Sequence, residues 1–269
     1  MKTRVVSLVL VLIFATSCTV STSSNTDFEK QVATKAAFAL TATAITSSQQ
    51  GQNQPTEPVI PTSLIATQTP TPDITIGTLG DPTWKDDFST PVNWFKSGSS
   101  AQYGNSLFKI QNGSFTFETS VMEGMIWHLS YKQLQNFYIE ADFETIRCAG
   151  NDQFGLVLRA TNYVDGFAYY PVFTCDGKFN ILKNTNSGLT ALAADWKAIS
   201  DFSSPTDGKL QMGVWVKDNT IRLYANRVLL QEFIDSSLPG QGHIGFFINP
   251  RQTSAFQVQA DRIAYWVLN

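Results

Sequence analysis

The sequence predicts an all-β fold, a two-sheet antiparallel jelly-roll sandwich, preceded by a signal peptide and a disordered tether. Three observations carry this expectation. Short apolar-alternating runs recur at turn spacings of roughly 8–12 residues, with no helical period of any length. Turn pairs separate them: Asn112-Gly113, Asp176-Gly177, Asp218-Asn219 and Asn226-Arg227. Aromatic residues divide the chain, since none occurs between Phe38 and Trp84 and all six Trp lie from Trp84 onward. A stretch without aromatics and with few charges cannot bury enough apolar surface to offset its ordering entropy. The 269-residue chain therefore builds its core in one domain, residues 82–269.

The N-terminus reads as an address. Lys2 and Arg4 precede an apolar run over residues 5–14, followed by Ala15-Thr16-Ser17-Cys18. A positive start, a short apolar core and small residues before a cut site describe a secretory signal peptide over residues 1–17. The run is half of the roughly 20 residues a membrane-spanning helix needs. The residues ending at Cys18 resemble a bacterial lipobox, with Ala15 where Leu is usual. That resemblance implies a lipoprotein signal, lipidation of Cys18 and an extracytoplasmic protein anchored to the cell envelope. An ordinary signal peptide with an incidental Cys is the other reading. Residues 18–81 are rich in Ser, Thr, Gln, Ala and Pro, and Pro55, Pro58, Pro61, Pro70 and Pro72 mark a stiff spacer.

From residue 84 the strands follow one another. Residues 84–88 form a short first strand, and residues 91–95 a turn or single helical turn. Residues 107–111 and 114–119 alternate on either side of Asn112-Gly113. A run over 125–129 leads to three runs, 137–147, 154–160 and 167–173, expected as neighbouring antiparallel strands. Further strands are expected at 178–183, 189–192, 210–217, 220–225, 228–233, 242–249 and 256–267. No internal repeat is evident, which excludes a propeller or solenoid. The net charge of −3 and the lack of Lys and Arg interleaved with aromatics exclude a nucleic-acid surface. There is no phosphate loop or nucleotide fingerprint.

The order DDFS, Trp94, LFKIQNGSF, FYIEADF, FGLVLRATN, FAYYPVFTCDGKFNIL, Trp196, LQMGVWVKDNTIRLYANRVLL, Asp235 and GHIGFF resembles concanavalin A-like lectin/glucanase domains. Within that superfamily it is most similar to laminin-G-like and keto-disaccharide-hydrolase-like domains of bacterial surface lipoproteins. The resemblance covers most of residues 84–268. It implies the jelly-roll fold, and a function among lectins, glycosidases and binding or spacer modules, a spread that fold alone does not narrow.

In FYIEADFE, Phe137, Ile139, Ala141 and Phe143 share one face; Tyr138, Glu140, Asp142 and Glu144 share the other. The spacing of Glu140, Asp142 and Glu144 is the one family-16 glycoside hydrolases use for nucleophile, assisting Asp and general acid. Residues i and i+4 on a strand lie roughly 13 Å apart at Cα. Two reaching Glu side chains can close that to the roughly 5–5.5 Å of a retaining pair. Against catalysis, a symmetric hairpin through AGNDQ puts Glu140 opposite Arg159, an ordinary cross-strand pair. The neighbours Gly155 and Val157 also offer no Trp-rich cleft.

A ligand platform is expected instead on the face carrying Tyr138, Glu140, Asp142 and Arg159, with Tyr169 or Tyr170 from the next strand and Trp127 and Trp196 from flanking segments. Aromatic planes suit the CH faces of sugars, and charged groups their hydroxyls. Cys148 and Cys175 fall in loops at the same end of the sheet and are expected as a disulfide, as befits an exported chain. If first and last strands neighbour, Asp86, Asp87 and Asp261 can meet and offer hard oxygen ligands to a structural calcium, but solvated surface Asp is the favoured reading of the three, and no other cofactor is implied. His128 and His243 lie far apart with no Ser-His-Asp pattern around them. The leading functional reading is a cell-surface lipoprotein with a non-catalytic glycan- or ligand-binding domain. The alternatives are a secreted glycoside hydrolase using Glu140 and Glu144, and a structural envelope protein.

Overall fold

The computed structural model describes residues 74–122, 124–199 and 209–269. The expected signal peptide, the lipidation site Cys18 and the tether up to residue 73 lie outside the described residues. A single helical turn, α1 (Ile74–Gly77), opens the described chain. The strands follow as β1 (Trp84–Asp86), β2 (Ser100–Tyr103), β3 (Ser106–Gln111), β4 (Ser114–Thr119), β5 (Ile126–Leu134), β6 (Phe137–Arg147), β7 (Gln153–Ala160) and β8 (Ala168–Thr174). Then come β9 (Lys178–Thr185), β10 (Gly188–Ala191), β11 (Lys197–Ala198), β12 (Lys209–Lys217), β13 (Thr220–Ala225), β14 (Val228–Ile234), β15 (Gly242–Asn249) and β16 (Phe256–Val267).

Two antiparallel sheets pack face to face, as expected. The larger runs β14-β13-β12-β6-β16-β4-β3-β2, with β1 on β16; the smaller runs β10-β9-β8-β7-β15-β5, with β11 on β9. The hairpin residues take the left-handed backbone that tight turns need, with φ of 56° at Asn112 and 74° at Gly113. Asn226 and Arg227 do the same at 49° and 65°. Alternation places Phe137, Ile139, Ala141 and Phe143 of β6 inward, against Phe154, Leu156 and Leu158 of β7 and Phe246 of β15. Each fully buried apolar side chain contributes roughly 1.5–3 kcal/mol, and this inter-sheet layer holds the two sheets together.

The expected trio of neighbouring strands is divided between the sheets. β6 is flanked by β12 and β16, so neither of its edges is free for β7, which pairs with β15 and β8 instead. The connection between β6 and β7 therefore crosses from one sheet to the other. Asp152 shapes that crossing: Oδ1 accepts the backbone N–H groups of Arg251, Gln252 and Thr253, and Oδ2 that of Ala149. The Cys148–Cys175 disulfide is present, with Cα atoms 5.7 Å apart, and it ties the end of β6 to the end of β8 across the sandwich. β2 and β11 were not among the expected strands. The chain also packs earlier than residue 82: Ile76 is buried with Tyr138, Tyr224 and Trp266 on the outer face of the larger sheet.

Candidate functional site

The carboxylate row of β6 lies on the outer face of the larger sheet, as the alternation requires, but Glu140 is wholly buried there. Arg227 donates to it from Nη2 at 2.8 Å and from Nε at 3.1 Å. Arg262 Nη2 donates at 2.8 Å and Tyr138 Oη at 3.2 Å. A carboxylate has about four lone-pair sites, and these four donors occupy them. Gly213, opposite Glu140 on β12, leaves the room: a Cβ there would lie 2.6 Å from Tyr138 Oη. Asp142 accepts from Arg262 Nε and Gln211 Nε2, both at 2.8 Å, and Glu144 from Gln259 Nε2 at 3.1 Å. The row is a polar ladder tied to its neighbouring strands.

The expected Glu140–Arg159 pair is absent because β6 and β7 belong to different sheets. Arg159 adopts a left-handed φ of 52°, and its buried guanidinium donates to Gln135 O at 2.9 Å and Leu238 O at 3.3 Å. Burial holds its pKa below the usual arginine value. Nor do Tyr138, Tyr169 and Tyr170 form one exposed platform: all three are buried, each in a different apolar cluster. Tyr169 points inward and donates to Asp235 Oδ1 at 2.6 Å; Tyr170 points outward and donates to Gly166 O at 2.6 Å. The structure does not gather Asp86, Asp87 and Asp261. Asp86 accepts from Trp94 Nε1 and Asn93, Asp87 from the Ser89 amide, and Asp261 from Ser114 and Lys209. Among the described residues no group of three His, Cys, Asp or Glu side chains is placed to hold a metal ion.

A groove of about 730 Å³ runs along β5, an edge strand of the smaller sheet. Its lining includes Trp127, His128, Leu129 and Tyr131 of β5 and Tyr163 and Val164 of the β7–β8 connection. Trp94, Phe95, Lys96 and Tyr103 line it from the segments before β3. The β-strand period sends alternate side chains of β5 to opposite faces. Trp127 and Leu129 sit beside Phe247 and the outer apolar cluster that also holds Tyr170 and, partly buried, Trp196. His128 faces the opposite way, stacked on Phe108 with ring centroids 5.6 Å apart. Trp127 reaches its position because Gly166, at φ +67°, has no side chain; a Cβ there would lie 2.8 Å from the indole.

Three tyrosines rim this groove, Tyr103, Tyr131 and Tyr163, each about half exposed. Burial raises the pKa of Tyr103 and of Tyr163, and the neighbouring Tyr131 phenol raises each further, so both act as neutral hydroxyls. Histidines hold two of the three rim tyrosines, Tyr103 and Tyr163. His128 Nε2 lies 3.0 Å from Trp94 O, which can only accept, so Nδ1 accepts the Tyr103 hydroxyl at 3.0 Å. Burial holds the His128 pKa below its ordinary value, which keeps this neutral tautomer. Tyr163 Oη sits 3.2 Å from His243 Nδ1 and donates to Ser130 O at 3.4 Å. Of the groove, the sequence expectation included only Trp127. The missed tyrosines do carry a signal, because each stands among polar residues, in AQYGN, LSYKQ and TNYVDG.

The architecture is a two-sheet antiparallel β-sandwich with a groove lined by aromatic side chains along β5. No protein-family model and no curated protein matches the sequence. Among solved structures, the chain is similar to a Bacillus subtilis protein of unknown function with a galectin-like fold, at 13% identity and a TM-score of 0.50, covering 70% of this chain and 96% of that one. It is also similar to a carbohydrate binding module from Bacillus subtilis, at 15% identity and a TM-score of 0.39, covering 65% and 92%. A third is the catalytic domain of an endo-1,3-beta-glucanase (laminarinase) from Thermotoga petrophila RKU-1, at 8% identity and a TM-score of 0.48, covering 70% and 98%. The first of these carries the likeness, and the likeness is one of fold.

Proposed function

We propose that this chain is an exported protein, held to the cell envelope through lipid on Cys18, whose sandwich binds carbohydrate in the groove along β5 without cleaving it. The observation that carries this reading is the groove's lining: half-exposed aromatic rings and hydroxyls, with no Asp or Glu among the described residues that form it. Hydrolysis of a glycosidic bond ordinarily needs two carboxyl groups flanking it. The three carboxylates of β6 lie on the other sheet, with Glu140 fully engaged. The disulfide supports an oxidising, extracytoplasmic compartment.

The test is retention of the purified full chain on insoluble polysaccharides and in affinity gels. Trp127→Ala and Tyr131→Ala are each expected to weaken retention about tenfold, the loss of one stacked ring. Failure to retain any polysaccharide overturns the reading. So does turnover of a glucan that Glu144→Gln abolishes. The anchor is checked separately by metabolic labelling with a fatty-acid analogue, expected on the wild type and absent from Cys18→Ser.

A further inference from the structure

Among the described residues that line the groove, Lys96 is the one charged side chain, and none of them is an Asp or Glu. Elsewhere the basic side chains on the sheets are mostly taken: Lys109 by Glu118, Lys183 by Asp235, Arg222 by Glu232, Arg262 by Asp142. Lys96 is exposed and has no hydrogen-bond or ion-pair partner among the described residues. An uncompensated ammonium beside an apolar wall attracts an anion more strongly than one in open water. The hydroxyls add a direction. The Tyr103 proton is spent on His128 Nδ1, so its oxygen is left to accept, whereas the Tyr131 hydroxyl has no partner among the described residues and can donate.

Resting on the groove reading above, we propose that the ligand is an acidic polysaccharide. An anionic substituent on a sugar ring, a uronate carboxylate or a sulfate ester, pairs with Lys96. A ring hydroxyl donates to Tyr103, and the sugar's apolar face lies on the Tyr131 and Trp127 side. The chain as a whole carries a net charge of −3, so retention of a polyanion has to come from a local cation rather than from the protein's overall charge.

The experiment is affinity electrophoresis of the full chain against neutral xylan and β-1,3-glucan, polygalacturonate and alginate as uronates, and carrageenan as a sulfate ester. Retention by one of the acidic classes and not by the neutral ones is expected, and the two acidic arms show which anion is taken. Lys96→Gln is expected to weaken it about tenfold, Lys96→Glu to abolish it, and Lys96→Arg to preserve most of it. Lys85→Gln, away from the groove, is the control and should change nothing. If neutral polysaccharides are retained and Lys96→Gln has no effect, the anionic ligand is wrong while the groove reading stands. Equal losses in Lys85→Gln and Lys96→Gln also refute it, as non-specific charge attraction. No retention of any polysaccharide refutes both.

Discussion

Glu140 shows how a residue that looks catalytic in sequence becomes structural in the fold. Its carboxylate is fully buried, whereas its partners Arg227 and Arg262 keep 49% and 34% of their side chains exposed. That asymmetry makes a prediction. Glu140→Ala frees two guanidinium groups that water can reach, and should cost about 1–3 kcal/mol. Removing Arg227 and Arg262 together strands a buried charge and should cost about 3–5 kcal/mol. Urea denaturation of the two variants checks the order, and equal costs would contradict it. The row Glu140, Asp142, Glu144 was legible as a row, since alternation alone puts it on one face. Its partners were not legible, because Arg227 and Arg262 lie 87 and 122 residues away in sequence.

At the scale of elements, the decisive feature is the crossing from β6 to β7. In sequence AGNDQ reads as a hairpin loop; in the fold it carries the chain between sheets, held by Asp152 and the disulfide. The bridged cysteines are 27 residues apart, a loop whose closure entropy is worth about 3–4 kcal/mol. Cys148→Ala/Cys175→Ala should lose that much stability in denaturant titration, with the fold retained. A second tie lies in the connection between β14 and β15. There Asp235 accepts from Lys183 Nζ at 2.6 Å and from Tyr169 Oη at 2.6 Å.

Burial disfavours the charged form of Asp235, but the hydrogen bonds from Lys183, Tyr169 and Ser237 outweigh it and lower its pKa to about 2. An unfolded Asp titrates near 3.9. The resulting stability, on the order of 2 kcal/mol, is present above about pH 4 and is lost as pH falls toward 2. Asp235→Asn should therefore be less stable than wild type at pH 6, and the gap should close on acidification to pH 2. A gap that stays constant with pH would remove the ionised Asp235 from the account.

Over the whole molecule, the described chain enters on one sheet and the groove lies along the edge of the other. Ile76 is buried on the outer face of the larger sheet, and Trp266 Nε1 donates to Gly80 O at 2.9 Å. Deleting residues 74–80 should expose Tyr138, Tyr224 and Trp266 and lower stability by roughly 2–3 kcal/mol, the worth of one large buried side chain and its cover. Polysaccharide retention should be unchanged, because no residue of this segment lines the groove. A melt combined with an affinity gel separates the two effects.

Local sequence pattern was enough for most of the strands, the tight turns at Asn112-Gly113, Asp176-Gly177, Asp218-Asn219 and Asn226-Arg227, the inward face of β6 and the sandwich class. Period-2 alternation and turn chemistry act over a few residues, so β3, β4, β13, β15 and β16 were readable nearly to their ends. β2 escaped because SAQY offers one inward apolar residue, Ala101, and no alternation. The cysteine pairing was also readable, since it needed only strand direction and not sheet membership. Tertiary structure alone decided which sheet each strand joins. That choice depends on which edges are already taken, and β6 is closed on both sides by strands from far along the chain. It split Glu140 from Arg159, buried Tyr138, Tyr169 and Tyr170 in separate layers, and brought Tyr103, Tyr131 and Tyr163 from distant turns and strands to one rim. A binding groove assembled at a sheet edge is a product of that pairing, and local pattern does not contain it.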